Sequence, residues 1–170
     1  MNELNFVQVQ KDDPQHCALF TGMMLPYNRE LDYEYPGDEV VRKVARGMIE
    51  MLGPHDRHHE LAFVGEEPVG FFYGKVDHAE HRGFVKPGFG YVMEFYVRPE
   101  YRRKGYATQM LRRLEQHFAS HGVTRMWLNA DPASEAFWRA TGFAPTDEIS
   151  PDNGMVVYEK PVATPPAACP

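Results

Sequence analysis

Between Tyr91 and Leu128 the sequence passes from an apolar strand pattern, through a basic turn, into a helix and back into a strand. Tyr91 to Val97 reads as the strand before the turn, the fourth of the chain. Gly105 to Ser120 sets Ala107, Met110, Leu111, Leu114 and Phe118 on one stripe, with Gly122 at its end, and Val123 to Leu128 follows as a strand. A strand, a helix and a strand at this spacing suit a parallel crossover. Upstream, Leu61 to Val64 and Val69 to Val76 are apolar runs joined by Gly65-Glu66-Glu67-Pro68, a hairpin signal. Strands two to four therefore suit an antiparallel meander. Both kinds of pairing in one short chain point to a mixed α/β fold on a single, mostly antiparallel sheet.

The remaining elements are expected as follows. Asn5 to Gln10 is a first strand, and Asp13-Pro14 caps a helix carrying Leu19, Phe20, Met23 and Met24. Tyr27 to Glu39 reads as an acidic, tyrosine-rich loop. Val40 to Leu52 has helical spacing and stops at Gly53-Pro54; His55 to Glu60 is a polar link. Asp77 to Gly90 is irregular, Asp131-Pro132 opens a short helix that Gly142 closes, and Met155 to Tyr158 is the last strand. At 170 residues one domain is expected, spanning 1–162, with 163–170 a frayed tail.

Hydrophobic residues make up 43% of the chain, enough for a full core, and no apolar run exceeds four residues, so no membrane span is expected. Cys17 and Cys169 are the only cysteines, which suits a reducing cytoplasm and excludes a disulfide framework. Cys17 has apolar neighbours and reads as packing. His55, His58, His59, His78 and His81 lack a metal-ligand spacing, so no metal is expected. The net charge of −6 is uneven. From Arg98 to Arg125 seven basic residues face Glu100 and Glu115, a net +5, so the remainder carries −11. An acidic body argues against nucleic acid, and a concentrated basic patch suits a compact anion.

That patch sits on the strand-to-helix turn. The first N–H groups of a helix lack internal acceptors and lie at the positive end of its dipole. With Arg102, Arg103 and Lys104 beside them, a diphosphate would find both donors and counter-charge. Neither GxxxxGK[ST] nor GxGxxG is present. Arg102-Arg103-Lys104-Gly105-Tyr106-Ala107, after Val97-Arg98-Pro99, resembles the acyl-CoA-binding motif [RQ]-x-x-G-x-[GA] of the GNAT superfamily of N-acyltransferases. Asp131 to Phe143 resembles that superfamily's late helix ending in Gly-Phe, and the element order matches from about residue 3 to 161.

The resemblance implies helices on both sheet faces and a fourth and fifth strand that are parallel and splayed by a bulge. It implies acetyl-CoA as co-substrate, with its pyrophosphate on the amides of Arg103, Lys104, Gly105, Tyr106, Ala107 and Thr108. Phe95, Tyr96 and Val97 would pair with the pantetheine amides, and Asn129, Phe137 and Trp138 would line the far side of the channel. A tyrosine that protonates the leaving thiolate in many members is replaced here by Trp138, which is no practical proton source; water, Tyr96 or Tyr158 could serve.

Acyl transfer needs a neutral amine, and an alkylamine of pKa about 10.4 is only about 0.04% deprotonated at pH 7. Glu94, among Tyr91, Val92, Met93, Phe95 and Tyr96, is the expected base. In the acidic loop Tyr27, Glu30, Tyr33 and Glu34 would receive a cationic amine: a polyamine, an aminoglycoside-like compound or a peptide amine. The chain reads as an N-acetyltransferase acting by direct attack in a ternary complex. The alternative is a CoA-binding regulatory or sensor module without turnover; either leaves room for a homodimer.

Overall fold

A computed structural model describes residues 3–31, 34–53 and 56–163. Tyr33, His55 and the tail from 164 onward lie outside the described residues. The elements run β1 (Asn5–Gln8), α1 (Pro14–Glu30), α2 (Asp38–Glu50), β2 (Arg57–Val64), β3 (Glu67–Val76), β4 (Gly90–Val97), α3 (Tyr106–Ser120), β5 (Arg125–Asn129), α4 (Glu135–Ala140), β6 (Ala144–Ile149) and β7 (Val156–Pro161). The strands form a sheet in the order β1-β2-β3-β4-β5-β7-β6. The β4–β5 pairing is parallel, whereas β1–β2, β5–β7 and β6–β7 are antiparallel. No described helix is long and apolar enough to cross a membrane.

Two compact units divide the chain, and β3, β4 and α3 run through both. In the unit formed by residues 1–73 and 94–110, α1 and α2 pack on one sheet face. Asp13 caps α1 by accepting from the N–H groups of Gln15 and His16 at 2.9 and 3.1 Å. Odd-numbered residues of β3 meet these helices: Phe71 stands edge-on to Phe20 at 4.9 Å, and the Tyr73 hydroxyl donates to the Met48 carbonyl at 3.2 Å. Burying each such ring contributes about 1.5–3 kcal/mol. The even-numbered face meets α3, where a Cβ on Gly70 would lie 3.2 Å from the end of Met110. Helices thus cover both faces.

In the unit formed by residues 74–93 and 111–163, Gly74 and Gly90 continue that even face. A Cβ on Gly74 would touch Leu114 and Phe118 at 3.0–3.1 Å, and one on Gly90 would lie 2.6 Å from the Phe118 ring. The β4–β5 ladder covers only Gly90–Met126 and Tyr91–Trp127, while β5–β7 covers five positions. Asp77, fully buried, accepts from Trp127 Nε1 at 2.7 Å and lies 3.3 Å from Lys75 Nζ.

β4 changes phase along its length. Gly90 shares its face with Gly74, so an even residue meets the α3 side; Phe95 stacks on Phe72, so further on an odd one does. Burial alternates at Gly90–Val92, then Met93, Glu94 and Phe95 are all partly exposed. One extra residue, a bulge, accounts for both. The Tyr96 carbonyl oxygen consequently lies over β3, 2.3 Å from where a Cβ on Gly70 would stand.

Four sequence expectations change. α1 continues through Pro26 to Glu30: proline disfavours a helix interior, but Tyr27 packs on Phe71 and Tyr96 at 5.7 and 5.3 Å and Glu30 pairs with Arg102. The polar link is instead the start of β2: Gln8 pairs with Glu60, and Val9 N–H donates to the His59 carbonyl. α4 starts at Glu135, after a turn in which Ser134 N–H donates to the Asp131 carbonyl. β6 is an additional strand; it is a largely exposed edge containing Pro145 and shows no apolar alternation.

Gly70→Ala drives a Cβ into backbone that cannot move aside, and should cost about 2–3 kcal/mol of stability. Gly22→Ala, in open space on α1, should stabilise by about 0.5–1 kcal/mol. Urea midpoints of the two variants check the opposite signs.

Candidate active site

The basic turn is shaped by two left-handed residues. Pro99–Tyr101 makes one 3₁₀ turn, Arg102 is extended, Arg103 has φ +60° and Gly105 φ +78°, and α3 then begins at Tyr106. A side chain in this conformation costs about 1–2 kcal/mol, which Arg103 bears and Gly105 avoids. Gln109 N–H donates to the Gly105 carbonyl at 3.3 Å, closing the first helical turn. Preceding N–H groups, those of Tyr106, Ala107 and Thr108 among them, have no intrahelical acceptor.

The cations of the turn differ in employment. Arg102 Nε donates to the Val97 carbonyl at 2.8 Å, its terminal nitrogen meets Glu30 at 2.6 Å, and its guanidinium lies 5.7 Å from the Tyr96 ring centre. It braces the turn. Lys104 donates to the Glu100 carbonyl at 3.0 Å and lies over Tyr101. Arg103 is exposed and has no side-chain partner among the described residues. Tyr106 turns its ring into the core, leaving its backbone at the turn.

Glu94 lies on the phase-shifted part of β4, partly buried, between Met93 and Phe95. Burial pushes its carboxyl up to about 7, against a hydrogen bond from Tyr27 that favours the charged form. Tyr27 and Glu30 are both on the last turn of α1, not in a loop. Tyr96, buried beneath Tyr27, is pushed up to about 12 by burial. Val97 is buried and spends its carbonyl on Arg102. Glu34 is exposed. The structure therefore brings Glu94, Tyr27, Tyr96, Glu30 and Arg102 into one chain of contacts. The sequence signal for this link is the Phe20, Met23, Met24, Tyr27 stripe, which Pro26 masks by suggesting a helix end.

Asn129, Phe137 and Trp138 belong to the other unit. The Asn129 amide donates to the Val156 carbonyl at 3.2 Å and accepts from Asn153 at 3.1 Å. Trp138 is 6% exposed, donates to Ser134 Oγ at 3.0 Å and packs edge-on to Phe143; Phe137 is partly buried against it. The Tyr158 hydroxyl donates to Glu135 at 2.7 Å, and this bond raises its pKa. Tyr96 and Tyr158 are thus weaker acids than ordinary phenols. Cys17 is raised by burial and by Asp13 and Asp12, the reverse of an activated thiol. Among the described residues no group of three His, Cys, Asp or Glu side chains could hold a metal.

The sequence profile of the acetyltransferase (GNAT) family matches residues 23–143. No curated protein matches the chain. Among solved structures, an acetyltransferase from Thermus thermophilus is 23% identical, with 93% of this chain and 96% of that one covered and a TM-score of 0.66. PaiA N-acetyltransferase from Thermoplasma acidophilum, in complex with coenzyme A, is 16% identical over 94% and 99%, with a TM-score of 0.70. Tetrahymena GCN5 is 14% identical over 94% and 96%, with a TM-score of 0.68. At these identities the likeness shows the fold.

His59 and Glu94, both shifted by desolvation, should give stability opposite pH dependences. Burial lowers His59, ringed by Phe20, Phe71 and Tyr73, to about 3, so its contribution is lost as pH falls below 6.5. Glu94 is raised, so its contribution grows as pH falls through 7 toward the ordinary carboxylate range. His59→Phe should gain about 2 kcal/mol over the parent between pH 7 and pH 5. Glu94→Gln should move the opposite way. Denaturation midpoints across that range test this, and a His59→Phe curve parallel to the parent's refutes the first half.

Proposed function

Since the chain belongs to the acetyltransferase (GNAT) family, we propose that it transfers an acetyl group from acetyl-CoA to a primary amine by direct attack in a ternary complex. The observation that carries this reading is Glu94. A carboxyl with pKa about 7, on the strand that feeds the basic turn, is about half ionised at neutral pH and can take a proton from an amine.

The turn suits the coenzyme's pyrophosphate. N–H groups at the start of α3 and the unengaged Arg103 supply donors and charge, while Arg102 holds the turn's shape through Val97 and Glu30. The backbone of Phe95 to Val97 is assigned to the pantetheine amides, and an N–H near Phe95 to the thioester oxygen. Glu94 accepts the ammonium proton, directly or through water. The amine nitrogen then forms a bond to the acyl carbon as the carbon–sulfur bond breaks. The departing thiolate, of pKa about 8.5, leaves without a strong acid. Neither Tyr96 nor Tyr158, both raised, would protonate it readily.

The acceptor is assigned as a cationic small-molecule or peptide amine. Of the acids between the last turn of α1 and the first turn of α2, Glu30 is paired with Arg102, and Asp38 with Arg29 and Tyr35. Glu34 and Glu39 remain exposed for an incoming charge.

Thiol release from acetyl-CoA over a panel of primary amines tests the activity. Tight coenzyme binding with no amine-dependent release would support the non-catalytic module instead. Gly105→Val, which strains the turn, should weaken CoA binding by about tenfold or more in calorimetry. Glu94→Gln should lower kcat about 100-fold and leave KM for acetyl-CoA within about twofold.

A further inference from the structure

Helix α2 carries apolar residues on two sides. Val41, Ala45 and Ile49 are buried in the core of their unit. Val40, Val44 and Met51 are instead 45%, 50% and 51% exposed, and a Cβ on Gly47 would meet nothing within 4 Å. Steps of four, three and four residues put Val40, Val44, Gly47 and Met51 in one line, the spacing of a helix–helix seam. A lone exposed valine is ordinary surface. Four aligned positions with a glycine among them let a second backbone come close. The seam has one charged border, Lys43 and Glu50, both exposed and without a side-chain partner among the described residues. Its other border, Val41 and Met48, packs into the unit's own core.

We propose that this seam is the contact between two copies of the chain, their α2 helices running antiparallel about a two-fold axis. That pairing sets Val44 against Gly47 of the second copy and Val40 against Met51. It also brings the two charged borders together. Rotation about the axis places Lys43 of each copy beside Glu50 of the other, so the surface is complementary to itself in charge as well as in shape. Parallel helices would instead set each charged border against an apolar one. A pair of 13-residue helices covers less than the about 1,200 Å² of a standard stable complex, so the dimer is weak and depends on concentration.

Sedimentation equilibrium of the full-length protein, from about 5 to about 500 μM, should show the average mass rising from 19.5 kDa toward twice that value. Val44→Glu puts a charge into the seam and should weaken association about tenfold or more. Lys43→Glu and Glu50→Lys each set like charges face to face at both pairs, and each should weaken it about fivefold. Mixing these two single variants sets acid against base at both pairs, and should restore association to the parent's strength. Circular dichroism checks that every variant folds. A protein that stays monomeric throughout overturns the proposal. So does a dimer that Val44→Glu leaves intact, or a mixture of the two charge reversals that associates no better than either alone. An acceptor seated on the seam would leave the protein monomeric and raise KM for the amine in Val44→Glu, which overturns the proposal as well.

Discussion

Helix α3 presents Met110, Leu114 and Phe118, each four residues after the last, to a stretch of sheet whose facing positions are Gly70, Gly74 and Gly90. Side chains there would stand within 2.6–3.3 Å of the helix's own, so close packing of α3 depends on their absence. The first turn of that helix carries N–H groups without intrahelical acceptors, and Met110, within the next turn, packs against Gly70. Gly70 has a second task. It makes room for the Tyr96 carbonyl, displaced over the strand by the bulge in β4.

The bulge turns β4 from a regular strand into one with two registers. Before it, Tyr91 stacks flat on Trp127 at 3.9 Å within the short ladder to β5. After it, Tyr96 faces Tyr27 of α1, and Glu94 is partly exposed. Desolvation raises the Glu94 carboxyl to about 7, near neutral pH.

Arg102 shows how a motif residue can serve shape before charge. In a basic turn read by composition it counts as one more counter-ion for an anion. In the structure its donors go to Val97 and Glu30, and Arg103 is the neighbour left without a partner among the described residues. The same pair takes Glu30 out of the acidic loop's pool of carboxylates, so the charge available to an acceptor is smaller than residue counting implies.

Local pattern determined the strand and helix elements of the mixed sheet, the α3 stripe, the Asp13 cap and the glycine-bearing turn, because each follows from periodicity or backbone chemistry over short stretches of chain; the candidacy of Glu94 also needed the family resemblance. Tertiary contacts decided the rest. Pro26 marks a helix end by local rules, yet α1 stays helical through Tyr27, packed on Phe71 and Tyr96, and Glu30, paired with Arg102. His58, His59 and Glu60 look like a polar link until pairing with β1 buries them. The exposed edge strand β6 has no apolar period to read, and the Asn129 amide is spent on the Val156 carbonyl, 27 residues away. Sequence spacing carries information about neighbours along the chain, whereas the choice between a free charge and a paired one is made by residues such as Glu30 and Arg102, seventy-two positions apart.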